Sequence, residues 1–91
     1  MRRAAKVDLN QSTIVKALRS YGIGVHHTHQ LGGGFPDLLA CFRGRNILLE
    51  IKQPGEKINK LQAEFIASWD GEIHVVTSAE QAIQAIVSAA T

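Results

Sequence analysis

A chain of 91 residues has the size of one domain, spanning residues 1–91, with a single modest core. Hydrophobic residues at 45% and charged residues at 20% exclude a disordered tail, and no apolar run approaches the ~20 residues of a membrane helix. One cysteine, Cys41, excludes an internal disulfide, and the start, MRRAAKVDLN, lacks the apolar stretch of a signal peptide. A cytoplasmic protein is expected.

The net charge is only +2 but is unevenly placed. Residues 1–60 carry all ten Lys and Arg against four acids, a balance of +6, whereas residues 61–91 carry four acids and no base, −4. Such asymmetry favours one basic and one acidic surface, compatible with a polyanion such as nucleic acid. Ordinary solvated surface charge would give the same count.

In chain order, Asn10 to Gly22 reads as a helix, with Asn10 or Ser12 as cap, Ile14, Leu18 and Tyr21 on one face, and Gly22 as its stop. Ile23 to Gln30 is extended in character. Leu31 to Pro36, LGGGFP, is a bent loop. PDLLACF and NILLEIK are two short apolar strands around RGR. Pro54-Gly55 stops the second. Ile58 to Trp69 is an amphipathic helix, with Asn59 as cap and Ile58, Leu61, Phe65 and Trp69 on its apolar face. Ile73 to Thr77 is another strand, and Ser78 caps a last helix with Gln81 in capping-box position. A strand–helix–strand step requires parallel strands, and the tight earlier turns require antiparallel ones. The expectation is an α/β fold: a mixed four-stranded sheet flanked by helices.

The segment GGGFPDLLACFRGRNILLEIK places charge where apolar strands usually exclude it. Glu50 and Lys52 are two apart on a strand and share a face. With Gly44-Arg45 as a two-residue type II′ loop, Asp37 pairs with Lys52 and joins them on that face. Leu38, Ala40, Phe42, Ile47, Leu49 and Ile51 then form an apolar opposite face. Two close carboxylates repel unless a cation lies between them. Mg²⁺ takes oxygen ligands, keeps several waters, and uses one or two carboxylates with substrate phosphate. The backbone carbonyl of Ile51 would add an oxygen, and Lys52 would orient a water or stabilise phosphate charge. These are the parts of a phosphodiester hydrolase. The plainer alternative is an Asp37 turn cap beside a strand-end Glu50–Lys52 ion pair.

Pro36-Asp37 followed by Glu50-Ile51-Lys52 resembles the PD-(D/E)xK nuclease core. The longer stretch GGGFPDLLACFRGRNILLEIKQPGEKINKLQAEF is similar to the VRR-NUC (virus-type replication-repair nuclease) domain, and the likeness runs on through IHVVTSAEQAI. The resemblance implies a restriction-endonuclease-like αβββαβ core with Mg²⁺ or Mn²⁺ as cofactor. It also implies a DNA repair endonuclease, structure-selective and Holliday-junction-resolvase-like, in a bacterial or phage-infected cell. A flap-type or exonuclease activity, or a non-cleaving DNA-binding module, are the alternatives. By resemblance Asp37 and Glu50 are metal ligands, Lys52 is the catalytic lysine, and Gln62 braces the site. Where many members carry an acid in the first helix, this chain offers Gln11, with Asp8 just before it. The minimal viral members further imply a homodimer acting on branched DNA.

HHTH invites a zinc reading, but four ligands are not evident, with Cys41 and His74 distant in sequence. His29 or Gln30 is a further candidate to approach the acidic site. Arg43, Arg45, Lys16 and Arg19, with Arg2, Arg3 and Lys6, are candidate phosphate contacts. Gly33 and Gly34 are candidates for close backbone approach to DNA.

Overall fold

A computed structural model describes residues 3–90, with side chains described for residues 10–88. The order is α1 (Arg3–Ser20), β1 (Gly24–His27), a 3-10 turn (His29–Leu31), β2 (Leu38–Phe42), β3 (Arg45–Ile51), α2 (Lys60–Ser68), β4 (Glu72–Val76) and α3 (Ala79–Ala90). The strands form one sheet in the order β1-β2-β3-β4. β1/β2 and β2/β3 are antiparallel, while β3/β4 are parallel and joined through α2. This is the expected mixed α/β sheet.

α1 begins seven residues before the expected Asn10, so neither Asn10 nor Ser12 caps it. The preceding Ala and Lys residues are strong helix formers and carry the helix back through that segment. Its end follows the sequence closely. Gly22, at φ 94°, donates to Arg19 O at 3.0 Å, and Ile23 N donates to Leu18 O at 3.0 Å. That is a Schellman stop, with Leu18 and Ile23 both buried around it. Tyr21 lies past the helix end and is exposed rather than on the buried face, resting edge-on against Phe42.

Ile14, Val15 and Leu18 of α1 and Ala82 and Ile86 of α3 pack on the sheet face formed by Leu38, Ala40, Ile47, Leu49 and Ile51. Each fully buried aliphatic side chain contributes about 1.5–3 kcal/mol. α3 is capped by Ser78 Oγ, which accepts from Gln81 N at 3.1 Å. The Gln81 side chain reaches Thr77 N–H at 2.8 Å, one residue beyond the capping-box position.

Two further corrections concern the site's surroundings. The β2–β3 loop is Arg43-Gly44, not Gly44-Arg45, with Phe42 opposite Arg45. Both loop residues have positive φ, 54° and 79°, as a type I′ turn requires. Arg43 accepts that strain while its guanidinium stacks 5.2 Å over Phe42, and Arg45 stays in the strand to pair with Glu72. α2 is capped as expected by Asn59, in a capping box with Gln62. Its apolar stripe, however, stays largely uncovered, with Leu61 57% and Trp69 40% exposed. The helix rests on the Gly34–Phe35 loop, where Phe35, Phe65 and Trp69 meet edge-on and stacked. The Gly34 backbone lies close against Leu61 and Gln62 of the helix there.

Candidate functional site

Asp37 directly precedes β2, Glu50 lies near the end of β3, and Lys52 directly follows it. Leu38 pairs with Leu49, so continuing the antiparallel ladder sets Asp37 opposite Glu50. All three lie on the sheet face opposite the main core, because side chains alternate along a strand. Pro36 and Asp37 are held by three hydrogen bonds. Asp37 Oδ2 accepts the Ile51 N–H at 2.8 Å, its carbonyl accepts Thr28 N–H at 2.8 Å, and Thr28 Oγ1 donates to the carbonyl of the buried Pro36 at 2.8 Å. Lys52 N–H donates to Val76 O at 2.9 Å, which ties the end of β3 to β4.

Glu50 and Lys52 are only 3% and 6% exposed. Glu50 Oε2 accepts from Gln62 Nε2 at 2.9 Å and lies 3.8 Å from Lys52 Nζ. Lys52 Nζ is also 3.6 Å from Glu56 Oε2. Glu56 is aimed there by the Gln53–Glu56 turn, in which Glu56 Oε1 accepts Gln53 N–H at 2.8 Å. Burial, and then the charge and hydrogen-bonding contact of Asp37, push the Glu50 carboxyl up from 4.5 to about 8, with Lys52 opposing them in part.

The pair opens on a cavity of about 250 Å³, also lined by Asn10, Ile51, Gln53 and Asn59. Asn10 Nδ2 is buried there without a hydrogen-bond partner. Leaving a buried donor unmade costs ~1–3 kcal/mol, so a ligand or water oxygen in the cavity would be stabilised. Among the described residues no group of three or more His, Cys, Asp or Glu could hold a metal ion. The donor set is thus two carboxylates with neutral oxygens nearby. That suits a hard cation which retains its waters, such as Mg²⁺, and does not suit zinc. The residues present fit Mg²⁺ in that sense, since a divalent charge would relieve the Asp37–Glu50 repulsion.

The structure therefore brings together Asp37, Glu50, Ile51, Lys52 and Gln62. Gln11 does not join them. It is 3% exposed, and its Nε2 lies 2.9 Å from His27 Nδ1 and 3.4 Å from His29 Nδ1. His29 likewise turns to Gln11 and away from the acids. The α1 residue that lines the acidic cavity is Asn10, one position earlier. Arg43 and Arg45 stand at the other end of the β2–β3 hairpin, about 20 Å along the strands from Asp37. Lys16 and Arg19 line a separate groove. Gly33 faces open space, while Gly34 abuts the α2 backbone. The side chains of Arg2, Arg3, Lys6 and Asp8 lie outside the described residues. Sequence reading missed Asn10, Glu56 and Asn59. Glu56 had a signal: Gln-Pro-Gly-Glu is a tight turn that folds its last side chain back toward the preceding strand end.

No protein-family model, curated protein or solved structure matches this chain. Fold and site on their own define a mixed α/β domain with a buried carboxylate–lysine cluster at the rim of its sheet. Among the described residues no helix is long and apolar enough to cross a membrane.

Proposed function

We propose that the chain is a Mg²⁺-dependent endonuclease hydrolysing DNA phosphodiester bonds, in keeping with its resemblance to PD-(D/E)xK nucleases of the VRR-NUC type. The observation that carries the reading is the placing of Asp37 and Glu50 opposite one another on one cavity, with the Lys52 ammonium 3.8 Å from Glu50. Mg²⁺ or Mn²⁺ held by these carboxylates would supply a Lewis acid and a bound water of lowered pKa. Lys52 supplies a fixed positive charge beside the reacting phosphate, pre-organised by Glu50 and Glu56 at no cost during reaction. Gln62 orients the Glu50 carboxylate, and Asn10 offers its free N–H to a phosphate or water oxygen.

Within this proposal the preferred substrate is branched DNA, as for a junction resolvase. Two copies related by a two-fold axis would place two sites for paired cuts. The test incubates four-way junctions, flaps and linear duplexes with the protein in Mg²⁺ or EDTA. Paired cuts in junctions with Mg²⁺ alone, lost in Lys52→Ala, are the expected result. Cutting by Lys52→Ala at the wild-type rate would overturn the assignment, and cuts confined to flaps or ends would move it to a flap or exonuclease activity.

A second reading is favoured by the donor set. Among the described residues only Asp37 and Glu50 stand opposite one another, Glu56 being paired with Lys52, and Gln11 is turned elsewhere, so a DNA-binding module that no longer cuts is the alternative. Calorimetry separates the two: Mn²⁺ or Mg²⁺ binding that depends on Asp37 and Glu50 supports the enzyme.

A further inference from the structure

A second concavity, of about 600 Å³, lies between α1 and the edge strand β1. Gln11, Ser12, Lys16, Arg19, His27 and His29 line it, and among the described residues no acidic side chain does. Gln11 is buried at its floor. The Gln11 amide nitrogen lies within hydrogen-bonding distance of Nδ1 of both His27 and His29, which engages that side of each ring. The Nε2 side of each ring is left over for another partner. Arg19 is anchored by Nη2 donating to Val25 O at 2.9 Å, which leaves the rest of its fork available. Lys16 is exposed. The polar groups described in the groove are thus donors and positive charge, set around an apolar patch that includes Val15.

Two links join it to the acidic site. Asn10, lining the acidic cavity, directly precedes Gln11. Thr28, between the two histidines, donates its N–H to the Asp37 carbonyl at 2.8 Å. From Ser12 to Ser20 the donors are strung along about 12 Å of helix. That span matches about three phosphates of one strand at ~3.4 Å per nucleotide, rather than a single phosphate group.

We propose that this groove binds backbone phosphates of the DNA strand that continues into the Asp37–Glu50–Lys52 site. The inference rests on reading that site as one for a nucleic-acid phosphodiester. Contacts of this kind position the strand without reading its sequence.

The test is fluorescence anisotropy of labelled DNA with the full chain in EDTA, titrated with salt, for Lys16→Glu, His29→Ala and Gln84→Glu. Lys16→Glu is expected to bind at least tenfold more weakly, with a salt slope smaller by about 1. His29→Ala weakens binding less, and Gln84→Glu, an added negative charge on the exposed face of α3, leaves it within twofold. Lys16→Glu binding within twofold of wild type would overturn the proposal. So would displacement of DNA by inorganic phosphate beyond the effect of chloride at equal ionic strength, which marks a single-phosphate site. Cleavage in Mg²⁺ is read in parallel. Unchanged binding with intact cutting removes the groove and leaves the nuclease. Weakened binding by the variant, where wild type binds but never cuts, leaves the groove as a DNA contact and removes the hydrolase.

Discussion

Gln62 couples a helix cap to the Glu50 carboxylate: its Nε2 donates to Glu50 Oε2 at 2.9 Å while its Oε1 accepts the Asn59 N–H at 3.0 Å. Gln62→Ala breaks both bonds and is expected to cost about 1 kcal/mol of stability along with cleavage rate. Gln62→Glu keeps an acceptor for Asn59 but sets a third carboxyl against Glu50. A thermal melt at pH 5 should leave Gln62→Glu near wild type, while its cleavage falls at least as far as that of Gln62→Ala. Equal melts for the two variants would show that the cap contributes nothing.

Lys52 is expected to act in the chemistry more than in folding. Lys52→Met keeps most of the buried volume and removes the ammonium between Glu50 and Glu56. Single-turnover cleavage should fall on the order of 10²-fold or more, the size of losing one pre-organised charge at a reacting oxyanion. Lys52→Arg should not rescue it, because a planar fork does not replace a point charge in a buried pocket.

The pH dependence of the metal-free chain follows from Glu50. Its carboxyl titrates at about 8 in the fold against 4.5 ordinarily. Between those values the native chain keeps a proton that the unfolded chain has released. This contribution to stability is therefore complete below 4.5 and is lost as pH rises through about 8. Urea midpoints in EDTA should fall over that window, and Glu50→Gln should flatten the fall. Mg²⁺ should raise the midpoint most at the alkaline end, where the carboxylates are free to bind it.

Gly34 and Gly33 separate backbone strain from packing. Both have positive φ, 83° and 63°. A Cβ on Gly33 meets nothing, whereas one on Gly34 would stand 2.5 Å from Leu61 O in α2. Gly33→Ala should cost about 1 kcal/mol. Gly34→Ala should cost at least twice that and, by shifting α2 and with it Gln62, should slow cleavage. Chemical denaturation of the two variants is the check, and equal costs would refute the contact.

The convergence of Asp37, Glu50 and Lys52 was legible in the chain because it depends only on parity. Moving a two-residue loop from Gly44-Arg45 to Arg43-Gly44 shifts every partner by two, so each side chain keeps its face. For the same reason the apolar face of the hairpin and the Gly22 helix stop could be read directly: both are local geometry written in residue type. Which side chain of α1 meets the acids could not be read that way. Successive helix residues point about 100° apart, so the rotation at which Ile14 and Leu18 lock onto the sheet decides that Asn10 faces the acidic cavity and Gln11 the histidines. The uncovered stripe of α2 has a similar origin, since amphipathic spacing announces an apolar face but not whether another element arrives to cover it. Residue pattern alone thus determined the strands, their faces and the acid–acid–lysine set. Tertiary packing decided the neighbours, because those depend on how rigid elements are turned against one another.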